Sequence, residues 1–250
     1  MRVLLTNDDG IYARGLAALY EELSREAECL IVAPEIEQSA VGHAITLSRP
    51  LMVRRATKGG RFLGYAVCGT PADCVKIGIK ELAGPLPDFV VSGVNRGANC
   101  GNNVIYSGTV SAATEAAMMG VTSMAVSLDS HKEADFSIAA RMARKLVFAI
   151  AANASLAGGA FNVNVPCLPE DQIRGIVVVR QGRGRTIESF EKRVDPRDNI
   201  YYWMSGEKTP GPQDMDTDLG ALAAGYVTVT PIQYDLTRYD LLEPLKNLEL

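Results

Sequence analysis

The sequence is poor in the residue types on which several classes of protein depend. Its 250 residues include only two histidines and one tryptophan, and its five cysteines form no CxxC pair. Two histidines exclude a histidine-rich zinc site, and we expect the cysteines to be buried thiols in a reducing cytosol. The longest uninterrupted apolar run, residues 146–152, is far too short to span a bilayer, and no signal peptide fits the first residues.

Neither sign of charge dominates the chain. It carries 25 Lys and Arg against 29 Asp and Glu, which gives a net charge of −4. This balance favours neither a nucleic-acid partner nor a membrane surface. The hydrophobic content of 47% supports a sizeable core, and the length allows one large α/β domain or one domain with an appendage.

Apolar runs and helical patterns alternate through the first 180 residues. Short continuous apolar runs predict buried strands at residues 3–5, 29–33, 88–92, 124–128, 161–165 and 176–179. Apolar residues at helical spacing predict helices at residues 16–23, 71–82, 109–119 and 136–150. Residues 51–53 and 62–67 flank a Gly-Gly turn, as in a hairpin. This order predicts an α/β fold with a Rossmann-like, doubly wound, mostly parallel sheet.

The composition changes at about residue 181, where charged residues, glycine and proline become frequent. Only residues 200–204 and 226–232 look like strands there. We therefore predict a Rossmann-like catalytic core at residues 1–180. For residues 181–250 we predict a β-rich extended arm or β-hairpin and a terminal segment, which serve oligomerisation. Asp214, Asp216 and Asp218 suggest a calcium loop, but Leu219 replaces the required glycine. We interpret the three acids as helix caps.

The loops after the first two predicted strands carry candidate metal ligands. Asp8 and Asp9 precede Gly10, and in a turn both carboxylates can face one hard ion such as Mg²⁺ or Mn²⁺. The alternative is an ordinary Asp-Gly turn in which Asp9 caps the following helix. Ser39, in the second loop, is either a hydroxyl ligand or a simple loop serine.

A glycine- and asparagine-rich segment, residues 93–108, follows the strand at 88–92. We expect a loop that brings backbone close to a ligand, with the Asn95 amide oxygen able to reach a cation. Ser107 or Thr109 then caps a helix whose N-terminus suits an anion. Paired acids for a metal and a helix N-terminus for a phosphate together indicate metal-assisted phosphoryl chemistry.

These motifs, in this order, resemble the SurE family of survival proteins, which are 5′/3′-nucleotidases. The resemblance rests on residues 7–10, Ser39, and residues 69–74, 92–99 and 106–110, and residues 225–231 are similar to the family's C-terminal stretch. It implies a cytoplasmic phosphatase on a Rossmann-like core that forms a homodimer or homotetramer through exchanged C-terminal elements. It also implies one Mg²⁺ or Mn²⁺ per subunit, held by Asp8, Asp9, Ser39 and Asn95. The implied phosphate-binding residues are Asn95, Ser107, Gly108 and Thr109.

The reaction implied by the resemblance is hydrolysis of nucleoside 5′- and 3′-monophosphates, with short polyphosphate as a further substrate. We expect water to attack, oriented by Asp8 or Asp9 as catalytic residues, and a covalent aspartyl-phosphate is the alternative. His43 is either the acid that protonates the leaving group or a packing residue. A basic run either attracts polyphosphate or is a solvated arm; its members are Arg180, Arg183, Arg185, Lys192 and Arg193.

Other classes fit the sequence less well. A dinucleotide-dependent oxidoreductase requires GxGxxG after the first strand, and the chain has none. A receiver domain requires an acceptor aspartate after its third strand, and a haloacid-dehalogenase phosphatase requires Asp-x-Asp after its first. The remaining alternative is a nucleotide-binding or phosphate-sensing regulatory protein without turnover.

Overall fold

The computed structural model of the chain describes residues 1–130, 132, 135–184, 186–208 and 214–248. The strands are β1 Arg2–Thr6, β2 Glu28–Pro34, β3 Val53–Lys58, β4 Arg61–Val67, β5 Phe89–Arg96, β6 Thr122–Asp129, β7 Ala160–Pro166, β8 Ile176–Val178, β9 Thr186–Val194, β10 Ile200–Lys208 and β11 Val227–Ile232. The helices are α1 Arg14–Leu23, α2 Pro71–Ile77, α3 Gly108–Met118, α4 Ser137–Ala151, α5 Asp218–Ala223 and α6 Leu242–Lys246.

The main sheet has the strand order β3-β4-β2-β1-β5-β6-β7-β11-β8. Its centre, from β4 to β7, is parallel. At one side β3 pairs antiparallel with β4, and at the other β11 pairs antiparallel with β7 and parallel with β8. The chain passes from β1 to β2 on one side and later to β5 on the other. The strand order therefore reverses between β1 and β5, and ligands of open α/β sheets bind at the carboxyl ends of strands at such a reversal.

Helices cover the parallel centre on both faces, as the continuous apolar strands predict. On one face, α1 and α4 pack against the sheet through Leu16, Leu19 and Val147. On the other face, α2 and α3 pack through Val75 and Ala112. This arrangement confirms the predicted doubly wound α/β sheet. The five apolar residues named here are buried, so both layers are held mainly by removal of apolar surface from water.

The predicted loop at residues 93–108 begins later than the sequence indicated. Strand β5 continues through Asn95 to Arg96, with a register irregularity between Ser92 and Asn95. Gly93 has φ +136°, and a Cβ there would lie 2.3 Å from the carbonyl oxygen of Val126. The glycine is therefore needed inside a strand, where β5 and β6 approach too closely for a side chain.

The C-terminal segment differs in part from the predicted arm. Strands β9 and β10 form a separate antiparallel ribbon, of which the sequence pattern located only β10. Strand β11, however, lies in the main sheet between β7 and β8. The division at residue 180 stays a prediction, but the segment after it is not arm throughout.

The structure also bears on the expectations about the cysteines and about membrane spans. Cys74 is buried as predicted, whereas Cys167 is exposed, so the expectation of buried thiols is wrong there. Within the described ranges, no helix combines the length and the hydropathy needed to cross a membrane.

Candidate active site

The centre of the candidate site is a direct contact between Asp8, just after β1, and the first turn of α3. The Thr109 hydroxyl donates to Asp8 Oδ1 over 2.6 Å, and the Thr109 backbone N–H donates to Oδ2 over 3.2 Å. Asp8 is only 6% exposed and Thr109 is fully buried. A Cβ on Gly108 would lie 2.9 Å from Asp8 Cβ. The acid loop and the helix N-terminus therefore meet at contact distance, as the motif order predicted.

Negative charge accumulates in this region. Burial raises the pKa of Asp8 despite its bonds to Thr109. Burial, followed by repulsion from Asp8 and Glu37, raises the pKa of the half-buried Asp9 to about 6, although Arg96 acts in the opposite direction. A cation placed between carboxylates reverses such shifts because it favours their charged forms. A cation bound at Asp8 and Asp9 would therefore lower both pKa values.

Three predicted loops converge on one cavity beside Asp9. It has a volume of about 440 Å³ and is lined by Asp9, Ala13, Arg14, Gly15, Glu37, Arg96 and Phe136. Glu37 lies two residues before Ser39, and Arg96 follows Asn95 directly. The loops after β1 and β2 and the end of β5 thus meet at the reversal of strand order.

Ser39 and Asn95 lie close to this convergence and keep oxygens that suit a hard ion. The N–H of Gln38 donates to the Asp8 carbonyl oxygen over 2.7 Å, which holds the loop of Ser39 against the acid loop. The exposed Ser39 hydroxyl donates to Glu37 Oε1 over 2.5 Å. Asn95 Nδ2 donates to the Gly97 carbonyl over 2.8 Å, so its amide carbonyl oxygen remains the atom suited to a cation.

The N-terminus of α3 is capped by Ser107, which decides between the two predicted caps. Ser107 Oγ accepts from the N–H of Val110 over 3.1 Å. The Thr109 N–H is directed to Asp8 and the Val110 N–H to Ser107. Of the first three N–H groups of the helix, that of Gly108 is therefore the one without a hydrogen bond to the described part of the chain. A phosphate at this end also meets the positive end of an eleven-residue helix.

The residues present fit a divalent ion of the magnesium type. The candidate ligands are two carboxylates, a hydroxyl and an amide oxygen, which are the donors that Mg²⁺ and Mn²⁺ prefer. Among the residues that the structure describes, no group of three His, Cys, Asp or Glu side chains forms a metal cluster. A metal at Asp8 and Asp9 therefore depends on neutral oxygens such as those of Ser39 and Asn95, or on water.

The structure favours the packing alternative for His43. Its Nε2 lies 2.8 Å from Oε2 of Glu115, and Lys76 Nζ lies 2.5 Å from Oε1 of the same carboxylate. Glu115 is buried in α3, seven residues or about 10 Å along the helix from Gly108. His43 thus fastens its loop to α3 away from the predicted phosphate position.

The sequence did not single out Glu37, Arg96 or Glu115. The first two were detectable in principle, because each lies within two positions of a predicted ligand on a loop of the same sheet edge. Glu115 gave no local signal, since its partners His43 and Lys76 are distant in the chain.

Known proteins are similar to this chain over nearly its whole length. The family model described as "Survival protein SurE" matches residues 3–188, a stretch that includes every predicted site residue. The chain belongs to the SurE family. The fold agrees as well: the crystal structure of the SurE protein from Aquifex aeolicus superposes with a TM-score of 0.86 at 36% identity, covering 98% of each chain.

Relatives within the SurE family are similar over nearly their whole length. A protein of Syntrophus aciditrophicus named 5′-nucleotidase SurE is 61% identical over 249 residues, covering 99% of this chain and 94% of the relative. A protein of the same name from Syntrophobacter fumaroxidans is 53% identical over 250 residues, covering 100% of both. No segment of this SurE chain is therefore left unmatched by its relatives.

Proposed function

We propose that this chain is a divalent-metal-dependent phosphomonoesterase that hydrolyses nucleoside 5′- and 3′-monophosphates to nucleoside and phosphate. The observation that carries the proposal is the contact of buried Asp8 with the first turn of α3 through Thr109. It brings a buried carboxylate into contact with a helix N-terminus, and in this proposal the first binds a cation and the second a phosphate. The names of the 61% and 53% identical relatives support the choice of nucleotides.

In this proposal, Asp8, Asp9, Ser39 and Asn95 hold one Mg²⁺ or Mn²⁺. Such an ion polarises a phosphoryl oxygen and lowers the pKa of water. Ser107, Gly108 and Thr109, with Asn95, bind the phosphate, and the Gly108 N–H at the helix end stabilises the charge on its oxygens. Asp8 and Asp9 orient the attacking water. A phosphoenzyme trapped by rapid quench with labelled substrate would instead establish the aspartyl-phosphate route.

The central experiment measures turnover on a substrate panel with Mg²⁺, with Mn²⁺ and after EDTA treatment. The panel contains nucleoside 5′- and 3′-monophosphates, short polyphosphate and p-nitrophenyl phosphate. We expect hydrolysis of nucleotides that depends on added metal. Tight nucleotide binding without product under every condition would favour the regulatory alternative.

A matched pair of variants locates the activity in the candidate site. Asp8→Asn removes the carboxylate at the centre of the site, and we expect it to abolish turnover while the protein remains folded. Asp88→Asn makes the same substitution just before the first residue of β5, at the other end of the strands, where Asp88 accepts the N–H of Arg2. It should retain wild-type turnover. Equal activities of the two variants would contradict the assignment.

Short polyphosphate is the less favoured substrate. Two members of the basic run are already paired with acids, Arg180 with Asp216 and Arg193 with Glu191. Arg185 lies outside the described residues. The panel therefore tests polyphosphate directly, and its hydrolysis at the rate of nucleotides would contradict this ranking.

We also propose that the protein is a cytoplasmic homodimer or homotetramer. The β9–β10 ribbon exposes apolar side chains on a two-stranded sheet, among them Phe190, Trp203 and Met204, and exposed apolar patches mark association surfaces. Cys29, Cys68, Cys74 and Cys167 are free thiols, which agrees with a reducing compartment. Size-exclusion chromatography with light scattering tests the assembly, and a monomer at micromolar concentration would contradict it.

A further inference from the structure

The carboxylate of Asp218 is fully buried and joins three separate segments of backbone. Its Oδ2 accepts the N–H of Gly101 over 2.9 Å. Its Oδ1 accepts the N–H of Gly182 over 2.7 Å and that of Leu219 over 2.8 Å. A carboxylate bonded by three amides is held in one orientation. The three segments therefore have fixed positions relative to one another.

Two of these segments are the loop of the candidate site and the base of the C-terminal arm. The site loop, residues 97–107, connects β5 to the cap of α3. The arm base, residues 180–184 and 214–218, is the place where the β9–β10 ribbon leaves and rejoins the body. The two segments of the arm base are joined by two hydrogen bonds of 3.0 Å each. The N–H of Arg180 donates to the Asp216 carbonyl, and the N–H of Asp218 donates to the Arg180 carbonyl.

Both backbone polar groups of Gly101 form hydrogen bonds with the arm base. Its N–H is bonded to Asp218, and its carbonyl accepts Nε2 of Gln181 over 2.8 Å. Its φ is +57°, and a Cβ would lie 3.0 Å from Leu219 Cδ1 and 3.2 Å from the backbone nitrogen of Gly184. The loop and the arm base therefore fit together at the level of backbone, with no space for a side chain between them.

The site loop is also held by hydrogen bonds to side chains of the main sheet. The N–H of Asn99 donates to Asn164 Oδ1 over 2.8 Å, and its carbonyl accepts Asn162 Nδ2 over 2.7 Å. Its side chain donates to Ser127 Oγ over 2.9 Å. Buried asparagines on β7 and a serine on β6 thus fix residue 99, which leaves residue 101 to be fixed by Asp218.

We propose that Asp218 is a positioning residue that fixes the site loop and, through it, the phosphate end of the site at Ser107–Thr109. It acts through the backbone of Gly101 and does not touch substrate. The identification of that end as a phosphate site rests on the proposed function. The fixing of the loop rests on the hydrogen bonds alone.

The test compares Asp218→Asn with Asp216→Asn. The first variant keeps the shape of the side chain but replaces one acceptor oxygen by an amide nitrogen, so at least one of the three N–H groups loses its partner. The second makes the same change of charge two residues away, at an exposed ion pair with Arg180, where little effect is expected.

Three measurements are made on the full-length protein. They are the affinity for inorganic phosphate, the affinity for Mn²⁺ from water-proton relaxation, and the rate of amide hydrogen exchange in residues 97–109. For D218N we expect phosphate affinity to fall and exchange to accelerate by about tenfold, the effect of one lost buried hydrogen bond. Mn²⁺ affinity should stay within about threefold. D216N should match the wild type in all three.

Gln181→Ala keeps the test decisive if D218N does not fold. Gln181 is exposed, and its removal frees only the carbonyl of Gly101. We expect about threefold weaker phosphate binding and faster exchange in the same peptides, with an unchanged melting temperature. Wild-type exchange in Q181A, together with unprotected exchange of the Gly101 N–H in the wild-type protein, would overturn the proposal in that case.

Two further outcomes would overturn it. One is a D218N protein that matches D216N in phosphate affinity and exchange. The other is a parallel loss of phosphate and Mn²⁺ affinity together with melting temperature, which indicates general destabilisation. A wild-type protein that hydrolyses no phosphomonoester would count against the proposed function alone, because hydrogen exchange still decides whether Asp218 fixes the loop.

Discussion

Replacing Thr109 by valine removes one hydroxyl from the contact between α3 and Asp8 and leaves the shape of the side chain almost unchanged. The lost bond is 2.6 Å long, ends on a carboxylate and is buried. Hydrogen bonds to charged groups contribute about 1.5–3 kcal/mol. Because the Thr109 N–H still reaches Asp8 over 3.2 Å, we expect the lower end of this range. That corresponds to about a tenfold loss of kcat/KM if the contact orients Asp8 during the reaction.

Thr114→Val is the matched control on the same helix. Thr114 is also buried, but its hydroxyl donates over 3.0 Å to the Val110 carbonyl, a backbone group of α3 itself. Both variants are assayed for turnover of a nucleoside 5′-monophosphate and for unfolding in urea. T114V should retain wild-type kcat/KM. If T109V retained it as well, the contact between Asp8 and the helix end would have no part in catalysis.

Three further predictions concern the same region. Asp9→Asn should abolish turnover yet stabilise the metal-free protein by about 1 kcal/mol at pH 8. The reason is that folding raises the pKa of Asp9 to about 6, so that its charged form destabilises the folded protein above that pH. Thermal melts with and without Mg²⁺ check this. Glu115→Gln should cost about 2 kcal/mol at pH 7. Because bonds from His43 lower the pKa of Glu115, this difference should persist down to its ordinary pKa of 4.5 and vanish as the pH falls through the lower folded value, which urea unfolding at several pH values measures. Gly108→Ala should lower kcat at least about tenfold, since its Cβ displaces Asp8; unchanged kcat would show that the helix end tolerates a shift.

The parts of the fold that depend on local pattern were predictable from the sequence. Continuous apolar strands alternating with amphipathic helices fix a parallel sheet, and a parallel sheet brings its carboxyl-end loops to one edge. That is why Asp8 and Thr109, 101 positions apart, were expected together. The position of Asn95 inside β5 was not predictable, because asparagine and glycine ordinarily mark loops and only the close approach of β6 explains Gly93.

Features that depend on pairing between distant segments were not predictable. The sequence suggested that Asp218 only caps a helix, but the side-chain cap of α5 is Thr217. The partner of Asp218 in the site loop, Gly101, is 117 positions away. Strand β11 has the alternation of an arm strand, yet it joins the main sheet because β7 offers it an edge. No local pattern encodes which edge a strand completes.

The β9–β10 ribbon carries the only tryptophan of the chain, Trp203, at a position where 59% of its surface is exposed. Indole emission depends on the polarity around the ring, so the unlabelled protein contains its own optical reporter at a single known place. A blue shift on raising the protein concentration would signal that something apolar has covered the ribbon. Emission that does not change on adding nucleotide would show that binding at Asp8 and Asp9 leaves the environment of Trp203 unchanged.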